Sequence, residues 1–302
     1  MKALYEMVGL SKQAHHKFNI INAQRQSKQE NLIHQAKTIR ASHPQMGCRS
    51  MYELMNDPGV GRDECERILL ASGFRLKRKP GYIKTTVSQR THNFPNLING
   101  LRIQGINHVW QTDITYFIIP TVGVFYLIFI IDVYSRRIIA YTGNTHMRSE
   151  ANVACLKMAL RTREGHDLSN LIHHSDHGGQ YVSKAYLDLL QPFKISMAKE
   201  AWQNAYTERI NGTIKNDYLR HRSIESCTQL NRHLKKDIFL YNNDRPHRNL
   251  PAKMSPVNFE EYLKRTPKKQ HPILKIYDPE QKQIRSELPL TESFMETLFR
   301  FP

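Results

Sequence analysis

The feature that most constrains the fold of this chain is a change in the spacing of its apolar residues at Val109. Over residues 110–119, apolar and polar side chains alternate roughly by two, with β-branched and aromatic types dense, which predicts a β-strand. After a turn at Gly123, residues 124–131 form an almost continuous apolar run of strand length. Such a run indicates a strand buried on both faces, so a sheet covered by helices is expected here.

The elements that follow complete the order of a known fold class. They are predicted as strand 137–141, helix 149–163, strand 171–173, helix 184–190, strand 194–197, and helices near 202–219 and 230–241. The order βββ-α-β-α-β-α is that of a ribonuclease H-like mixed five-stranded sheet with flanking helices. The fold class is therefore α/β, preceded by an all-α region.

The all-α region is predicted over residues 1–74. Ser11 is a suitable N-cap for a long polar helix, and two short helical segments follow at 49–56 and 62–72. A Pro-Gly turn separates the two short segments. This arrangement suits a helix-turn-helix, whose second helix enters a DNA groove, or an ordinary helical hairpin, and spacing alone does not separate the two.

Three boundaries follow from these patterns. The helical region with its helix-turn-helix spans 1–74, a basic linker 75–108, the ribonuclease H-like core 109–265, and a C-terminal tail of unknown role 266–302. The linker opens on Arg75, Lys77, Arg78 and Lys79, a cluster that can lie along DNA phosphates. A solvated tether is the alternative. Residues 273–277 in the tail have the composition of a strand.

Charge narrows the class of partner. The chain carries 44 Lys and Arg against 27 Asp and Glu, a formal charge of +17, which favours nucleic acid over an anionic membrane. Residues 1–108 hold 17 of the basic residues and 7 of the acidic ones, so this third is the denser basic surface. The alternative is a basic protein whose charge only keeps it dispersed.

Cysteine usage and hydropathy bear on the compartment. The four cysteines lie far apart without a CxxC pair, which indicates buried or idle thiols in a reducing cytoplasm rather than a zinc ribbon or disulfides. Residues 1–10 lack the apolar core of a signal peptide, and the run 124–131 is far shorter than the ~18–20 residues of a membrane span. A soluble, intracellular protein that faces nucleic acid is expected.

Three carboxylates are the candidates for chemistry. Asp113 sits mid-strand between apolar neighbours, where an ionised carboxylate is costly unless it is paired or metal-bound. Asp176 follows a short apolar strand at once, beside Gly178 and Gly179, which allow close backbone approach. Glu208 lies on the predicted helix that begins near residue 202. We predict that Asp113, Asp176 and Glu208 are the catalytic and metal-binding residues.

Oxygen ligands of this kind suit Mg²⁺, and Mn²⁺ is expected to substitute for it. Two such ions ~3.5–4 Å apart would clamp the attacking and leaving oxygens of an in-line displacement at phosphorus. Asp132 is interpreted as a turn carboxylate at a strand end, and Glu200 is a weaker candidate than Glu208.

Polar residues around Glu208 extend the candidate site. Asn204, Asn211 and Lys215 lie at i−4, i+3 and i+7, so on a regular helix they share its face and are predicted to contact DNA, with a solvated polar face as the alternative. The other predicted DNA contacts are Arg62, Arg75, Lys77, Arg78, Lys79 and Arg245. For Arg245, the adjacent helix is an equally good partner.

Several short motifs carry a resemblance in combination, although each is weak alone. They are WQTDITY at 110–116, IDVYSRR at 131–137, HSDHGGQY at 174–181, NAYTE at 204–208 and YNNDRPH at 241–247, with HPQMGCR at 43–49 upstream. Together they resemble the transposases of the insertion sequence 3 family, specifically the catalytic subunit that the second reading frame usually encodes. The likeness covers roughly residues 30–262.

The resemblance implies a ribonuclease H-like integrase core with a DDE triad on Asp113, Asp176 and Glu208. It also implies an upstream helix-turn-helix. The 31 residues between Asp176 and Glu208 are a few fewer than the family usually has, and the shortening falls in the loop at 197–201. That loop is expected to be tighter here.

The function implied is metal-dependent cleavage and strand transfer at insertion-sequence ends. Double-stranded DNA, both transposon ends and target, is the expected partner, bound by a homo-oligomer in the bacterial cytoplasm at the nucleoid, with no membrane. A first-frame partner protein, or a frameshift fusion with it, is expected to supply end recognition. The alternatives are a catalytically silent DNA-binding regulator and a nuclease of the ribonuclease H-like superfamily, because three acids alone suit a nuclease equally well.

Overall fold

The computed structural model describes residues 11–76, 94–176, 178–198 and 200–276. The chain separates into two compact units, Met1–Ile83 and Lys84–Pro302. Three residues of the predicted basic cluster, Lys77, Arg78 and Lys79, lie outside the described residues.

The N-terminal unit is built on one long helix, α1 (Lys12–Ser42). The helix begins where the sequence predicts, because the Ser11 hydroxyl accepts a hydrogen bond from the Ala14 backbone N–H at 3.0 Å. Two shorter helices follow, α2 (Cys48–Tyr52) and α3 (Arg62–Ala71). The C-terminal half of α1 packs with them around a small apolar core, which consists of Leu32, Ala36, Met46, Cys48, Met51, Cys65, Ile68 and Leu69.

The geometry of α2 and α3 gives no support to a DNA-reading helix-turn-helix. Residues 53–61 separate the two helices, with Gly59 at φ 64°, whereas that motif uses a turn of about 3–4 residues. The first turn of α3 carries Asp63 and Glu64, and Arg62 pairs with Asp63 at 3.2 Å. Acidic side chains at the start of a groove-bound helix would face DNA phosphates. The helical hairpin describes this region better, and the helix-turn-helix stays a prediction.

The second unit contains the predicted mixed sheet. A short strand β1 (Arg102–Ile103) precedes it, and the five sheet strands are β2 (Val109–Ile119), β3 (Gly123–Asp132), β4 (Ile138–Asn144), β5 (Ile172–Ser175) and β6 (Lys194–Met197). Their order is β4-β3-β2-β5-β6, with the first three strands antiparallel and β2, β5 and β6 parallel. The ribonuclease H-like topology expected from the sequence is confirmed.

Helices cover both faces of this sheet. One face carries α4 (Ser149–Thr162) and α5 (Lys184–Leu190), and the other α6 (Ala205–Thr213) and α7 (Cys227–Asn243). Alternate residues of β3 supply the two cores: Leu127 and Phe129 pack with α6 and α7, whereas Ile128 and Ile130 pack with α4 and α5. The continuous apolar run of β3 is therefore explained by burial on both faces, as predicted.

Residues 94–108 and 266–276 belong to the second unit, which corrects the predicted linker and tail. β1 pairs antiparallel with a strand beyond the predicted core, β7 (Leu274–Lys275). Ile98, Ile103 and Ile276 are buried in one cluster with helix α8 (Pro256–Arg265). The strand composition noted at 273–277 corresponds to β7. Its pairing with residues before the sheet joins segments distant in sequence, which no local pattern shows.

The long helix predicted near 202–219 is four consecutive pieces. A 3₁₀ turn at Ala201–Asn204 leads into α6, which is followed by a π-helical segment at Ile214–Tyr218 and a 3₁₀ turn at Leu219–His221. π-helical turns are rare and frequently lie at functional sites. This one follows the helix that carries Glu208.

A buried ionic cluster ties the β3–β4 turn to two helices. Glu260 of α8 accepts hydrogen bonds from Ser135 at 2.7 Å, from Arg137 at 2.6 Å and from the buried guanidinium of Arg163 after α4. Asp132 accepts two backbone N–H bonds of the turn, at 2.9 and 3.0 Å, which confirms it as a turn carboxylate.

All four cysteines are free, and three of them are buried. Within the described ranges, no helix combines the length and the hydropathy that crossing a bilayer requires.

Candidate active site

Asp113 lies near the middle of β2, the central strand of the sheet. Its side chain is on the face that α6 covers, where the Asn211 amide donates a hydrogen bond of 2.7 Å to Oδ2. The residue as a whole is half-buried. Its acidic group is largely desolvated, which is costly for an ionised carboxylate unless an opposite charge is bound.

Hydrogen bonds on either side of Asp113 join β2 to α6 and the segment that follows it, and they hold Asp113 in place. Gln111 accepts a bond from the Thr207 hydroxyl at 3.2 Å, and Lys215 donates to the Thr115 hydroxyl at 2.5 Å. These pairs flank the bond from Asn211 to Asp113. Two residues of a strand advance about 6.6 Å and four residues of a helix about 6 Å, so the two elements stay in register over three successive contacts.

Asp176 follows the parallel neighbour of β2 directly. The pairing of β2 with β5 aligns Gln111 with His174, and extending that register by two residues places Asp176 alongside Asp113. The exposed Asp176 carboxylate accepts the Gly178 backbone N–H at 3.1 Å. A Cβ added at Gly178 would stand 3.1 Å from Asp176 Oδ1, so the close approach expected of this glycine is present.

Glu208 lies in the first turn of α6, one residue after the buried Thr207, and its side chain is exposed. Glu200, the weaker candidate for the third acid, has a structural role. Glu200 caps the 3₁₀ turn before α6, where its carboxylate accepts the Gln203 backbone N–H and the Gln203 side chain accepts the Glu200 N–H at 3.1 Å. This reciprocal capping engages Glu200 in the helix start.

The electrostatics link the three acids. Burial and then the charges of Asp176 and Glu208 hold the pKa of Asp113 well above its ordinary value. Burial also raises the pKa of Glu208. Among the residues that the structure describes, however, no three His, Cys, Asp or Glu side chains form a ready ligand set for a metal ion. The acids are near enough to repel one another without converging on one point.

Two predicted DNA contacts on this helix are buried instead. Asn204 and Asn211 are each 3% exposed, and their amides donate to Thr112 O at 3.1 Å and to Asp113. Such burial does not support a role in binding DNA; both residues attach the Glu208 segment to β2. Lys215 is partly buried and also points to β2, where it donates to Tyr116 O at 3.2 Å.

The other predicted DNA contacts are distributed differently. Arg245 pairs with Asp217 of the π segment at 2.8 Å and lies over the Tyr218 ring, so of its two predicted partners the adjacent helix is present. Arg62 and Arg75 are exposed in the N-terminal unit. A DNA role for these two remains a prediction.

The parts played by Gln111 and Thr115 were not predicted from the sequence. Both are buried polar residues on the same strand face as Asp113. Gln111 bonds the helix that carries Glu208, and Thr115 bonds the π segment that follows it. The signal was present in the sequence, because polar side chains at every second position of an otherwise apolar strand indicate one polar face.

Comparison with known proteins agrees with this arrangement. Two family models described as Integrase core domain match residues 104–198 and 193–254. A solved structure of the HTLV-2 integrase catalytic core domain aligns with 55% of this chain and 99% of that chain, at 18% identity and a TM-score of 0.39.

Relatives among insertion-sequence proteins are closer. An insertion element IS600 31 kDa protein of Shigella sonnei is 34% identical over 211 residues, 67% of this chain and 75% of that protein. The transposase for insertion sequence element IS904 of Lactococcus lactis subsp. lactis is 33% identical over 201 residues, 64% of this chain and 76% of that protein. Transposase InsF for IS3A of Escherichia coli is 34% identical over 122 residues, 39% of this chain and 41% of that protein. The chain belongs to the insertion-sequence transposases that carry an integrase core domain.

Proposed function

We propose that this transposase cuts DNA at the ends of an insertion sequence and joins them to a target, with Asp113, Asp176 and Glu208 as its catalytic triad. One observation carries the assignment of the triad: a central strand, the end of its parallel neighbour and a helix bring three acids within electrostatic reach of one another. Phosphoryl transfer on DNA is the chemistry of this family, and it calls for acids that can hold divalent cations beside the DNA.

The residues fit divalent cations. All three candidate ligands are carboxylates, the hard oxygen donors that Mg²⁺ and Mn²⁺ take. Burial raises the pKa of Asp113 most, and the charges of Asp176 and Glu208 raise it further; a bound cation would oppose both effects. When bound, two such ions would supply positive charge to the attacking and leaving oxygens of an in-line displacement. Asp113, Asp176 and Glu208 would hold them.

The surrounding side chains orient the acids. Asn211 donates a hydrogen bond to one oxygen of Asp113. Thr207 holds α6, and Lys215 holds the π segment that follows it, in register on β2. Burial lowers the pKa of Lys215 and the nearby Asp113 charge opposes that shift. These three residues are therefore positioning residues in the proposed reaction.

The assignment to a particular transposase family and subunit is also a proposal. Membership of the insertion sequence 3 family is supported by the quoted motifs and by the likeness to the IS3A transposase. We assign the chain to the second-frame catalytic subunit, acting as a homo-oligomer on double-stranded DNA in the bacterial cytoplasm. A first-frame protein or a frameshift fusion would recognise the ends.

The test is one assay on the purified chain. Labelled duplexes that carry candidate element ends are incubated with target DNA and Mg²⁺, and the products are resolved as nicked or joined strands. Joined products that depend on the triad would support strand transfer, whereas nicks without joining would favour the nuclease alternative. DNA binding with neither product would favour the silent regulator.

Metal identity provides a separate prediction. Mg²⁺ and Mn²⁺ are expected to support cutting and joining, and Ca²⁺ to inhibit both strongly, because its larger and looser coordination spoils an in-line geometry. Product formation is measured at a fixed concentration of each metal and in excess chelator. Full activity in the chelator would contradict a metal-dependent mechanism.

A further prediction concerns the basic N-terminal unit. Residues 1–83 contain 14 Lys and Arg against 7 Asp and Glu, and we expect this fragment to bind duplex DNA with an affinity that falls steeply as salt rises. Replacing Arg75, Lys77, Arg78 and Lys79 by Ala should flatten the plot of log K against log salt by roughly 0.9 for each phosphate that the fragment no longer neutralises. Binding should weaken equally across DNA sequences; weakening for one sequence alone would show that these residues read bases.

A further inference from the structure

Arg136 occupies a backbone position that an arginine rarely takes. It lies in the β3–β4 turn at φ 65°, in the left-handed region where glycine and asparagine are favoured. The turn is held on both sides, since Asp132 accepts its N–H groups and Glu260 binds Ser135 and Arg137. A non-glycine residue at positive φ costs conformational free energy. Its presence in a rigidly held turn indicates that the guanidinium has a function of its own.

An aromatic ring fixes the position of the Arg136 guanidinium, but no acidic side chain in the described part of the chain pairs with its charge. It stacks over the Tyr206 ring at 4.1 Å, and its Nη1 is buried without a hydrogen-bond partner. The Arg136 carbonyl accepts the Tyr241 hydroxyl at 3.3 Å, and the Tyr241 ring meets the His247 ring edge-on at 4.9 Å. His247 Nε2 is likewise buried without a partner.

Two more arginines surround the same group. Burial, and then the charges of Arg245, Arg136 and Arg209, lower the pKa of His247 to about 3. Arg245 is paired with Asp217, but within the described part of the chain neither Arg136 nor Arg209 has an acidic partner. Arg209 is exposed and Arg136 partly exposed. The cluster of Arg136, Arg209 and His247 is therefore a cationic patch with unused hydrogen-bonding capacity.

We propose that Arg136 and Arg209, with His247 behind them, form a binding site for a phosphodiester group of the DNA strand beside the active site. Planar guanidinium groups match the oxygens of a phosphodiester and bind it by paired hydrogen bonds. Tyr206, which fixes Arg136, and Arg209 lie on α6 at two residues before and one residue after Glu208. Successive helical residues are about 100° and 1.5 Å apart, so the patch borders the carboxylate without competing for its ligands.

This inference rests on the proposed function in one respect, namely that the bound polyanion is DNA. A site built from stacked and unpaired arginines is expected to recognise DNA by its backbone, independently of base sequence. This site would hold a DNA strand next to the triad. The N-terminal unit is expected to contribute separately to the affinity for DNA.

The experiment measures binding of a fluorescent random-sequence duplex by the full chain as salt is raised. Arg136→Gly and Arg209→Ala are each expected to lower the slope of log K against log salt by roughly 0.9, and the double variant by about twice as much. Arg161→Ala, which removes an exposed charge at the end of α4, is the matched control and should leave the slope unchanged.

Arg136→Gly has an internal control for folding. Glycine prefers the φ of this turn, so its thermal unfolding temperature should equal or exceed that of the wild type. Wild-type slopes in both single variants would overturn the site. If Arg136→Gly unfolds early, Arg209→Ala decides alone, and an unchanged slope there overturns the proposal.

Failure of the phosphodiester site and failure of the proposed function give different results in these assays. Joining of labelled ends together with unchanged slopes would refute the phosphodiester site and leave the transposase mechanism standing. Lowered slopes without any joining in Mg²⁺ would support the site and refute the proposed strand transfer.

Discussion

Replacing Asp113 by Asn, Asp176 by Asn or Glu208 by Gln is expected to lower cutting and joining by roughly a thousandfold or more. Each change removes a metal-binding charge while barely altering side-chain volume. A metal ion contributes several kcal/mol of charge stabilisation in such reactions, and about 1.4 kcal/mol corresponds to a factor of ten in rate. The measurement is the initial rate of nicked and joined product in Mg²⁺.

The control is Glu200→Gln, because Glu200 is nearby in sequence but caps the turn before α6. It should retain near-normal strand transfer. Duplex binding should persist in all three triad variants, since the affinity is expected to come from basic residues. If Glu208→Gln joined strands normally while Glu200→Gln did not, the third ligand would be wrongly assigned.

Asp113→Asn also makes a distinctive change in stability. Burial and two neighbouring acids raise the folded-state pKa of Asp113, so its ionisation destabilises the fold as pH rises above the ordinary range for Asp. Asn cannot ionise and can still accept the bond from Asn211. In chelator at neutral pH, the variant should therefore unfold at a higher temperature than the wild type. The difference should shrink as pH falls, when Asp113 itself becomes neutral.

The sheet could be predicted because its signals are local. The alternation that defines β2 and the apolar run of β3 are properties of ten or so consecutive residues, and the observed strands match them closely. Asp113 and Asp176 could be selected because the first interrupts and the second follows an apolar pattern. Glu208 could be selected as an acid on the following helix and through the resemblance of the motif at 204–208. Their electrostatic proximity is visible only once β5 lies parallel to β2.

What could not be predicted depends on partners distant in sequence. Asn204 and Asn211 look like exposed polar residues on a helix, yet β2 buries them. The π segment that breaks the long helix has no signature in its own residues. Glu260 is the sharpest case. Pro256 and Leu263, four residues before it and three after it, place Glu260 on the buried face of its helix, but nothing local shows that the distant Arg163 neutralises it there.

Glu260 and its exposed neighbour Glu261 provide the second large prediction. Glu260→Gln should lower the free energy of unfolding by about 3–5 kcal/mol, because the Arg163 guanidinium, only 1% exposed, loses its carboxylate partner inside the protein. Asp132 alone stays nearby, at 3.9 Å from Arg163, and cannot replace two direct hydrogen bonds. Glu261→Gln is the matched control: Glu261 pairs with Lys264 at 2.6 Å but is 49% exposed, so the destabilisation should stay below about 0.5 kcal/mol.

The effect of Glu260→Gln should also depend on pH. Burial alone would raise the pKa of Glu260, but Arg163, Arg137 and Ser135 outweigh it and the net pKa is lowered. A carboxylate whose folded-state pKa lies below its unfolded value stabilises the fold above that unfolded value, about 4.3 for Glu, and loses the contribution as pH falls through the folded value. The difference between wild type and Glu260→Gln should therefore be full at neutral pH and diminish below about pH 4.

Urea unfolding followed by tryptophan fluorescence measures this difference in the second unit alone, because both tryptophans, Trp110 and Trp202, lie there and Trp110 is fully buried. Midpoints for the wild type, Glu260→Gln and Glu261→Gln are compared at neutral pH and at steps down to acid. Equal midpoints for the two variants at neutral pH would mean that the buried cluster contributes no more than a surface ion pair. A difference that persisted unchanged in acid would show that packing, rather than the charge of Glu260, fixes the turn that presents Arg136.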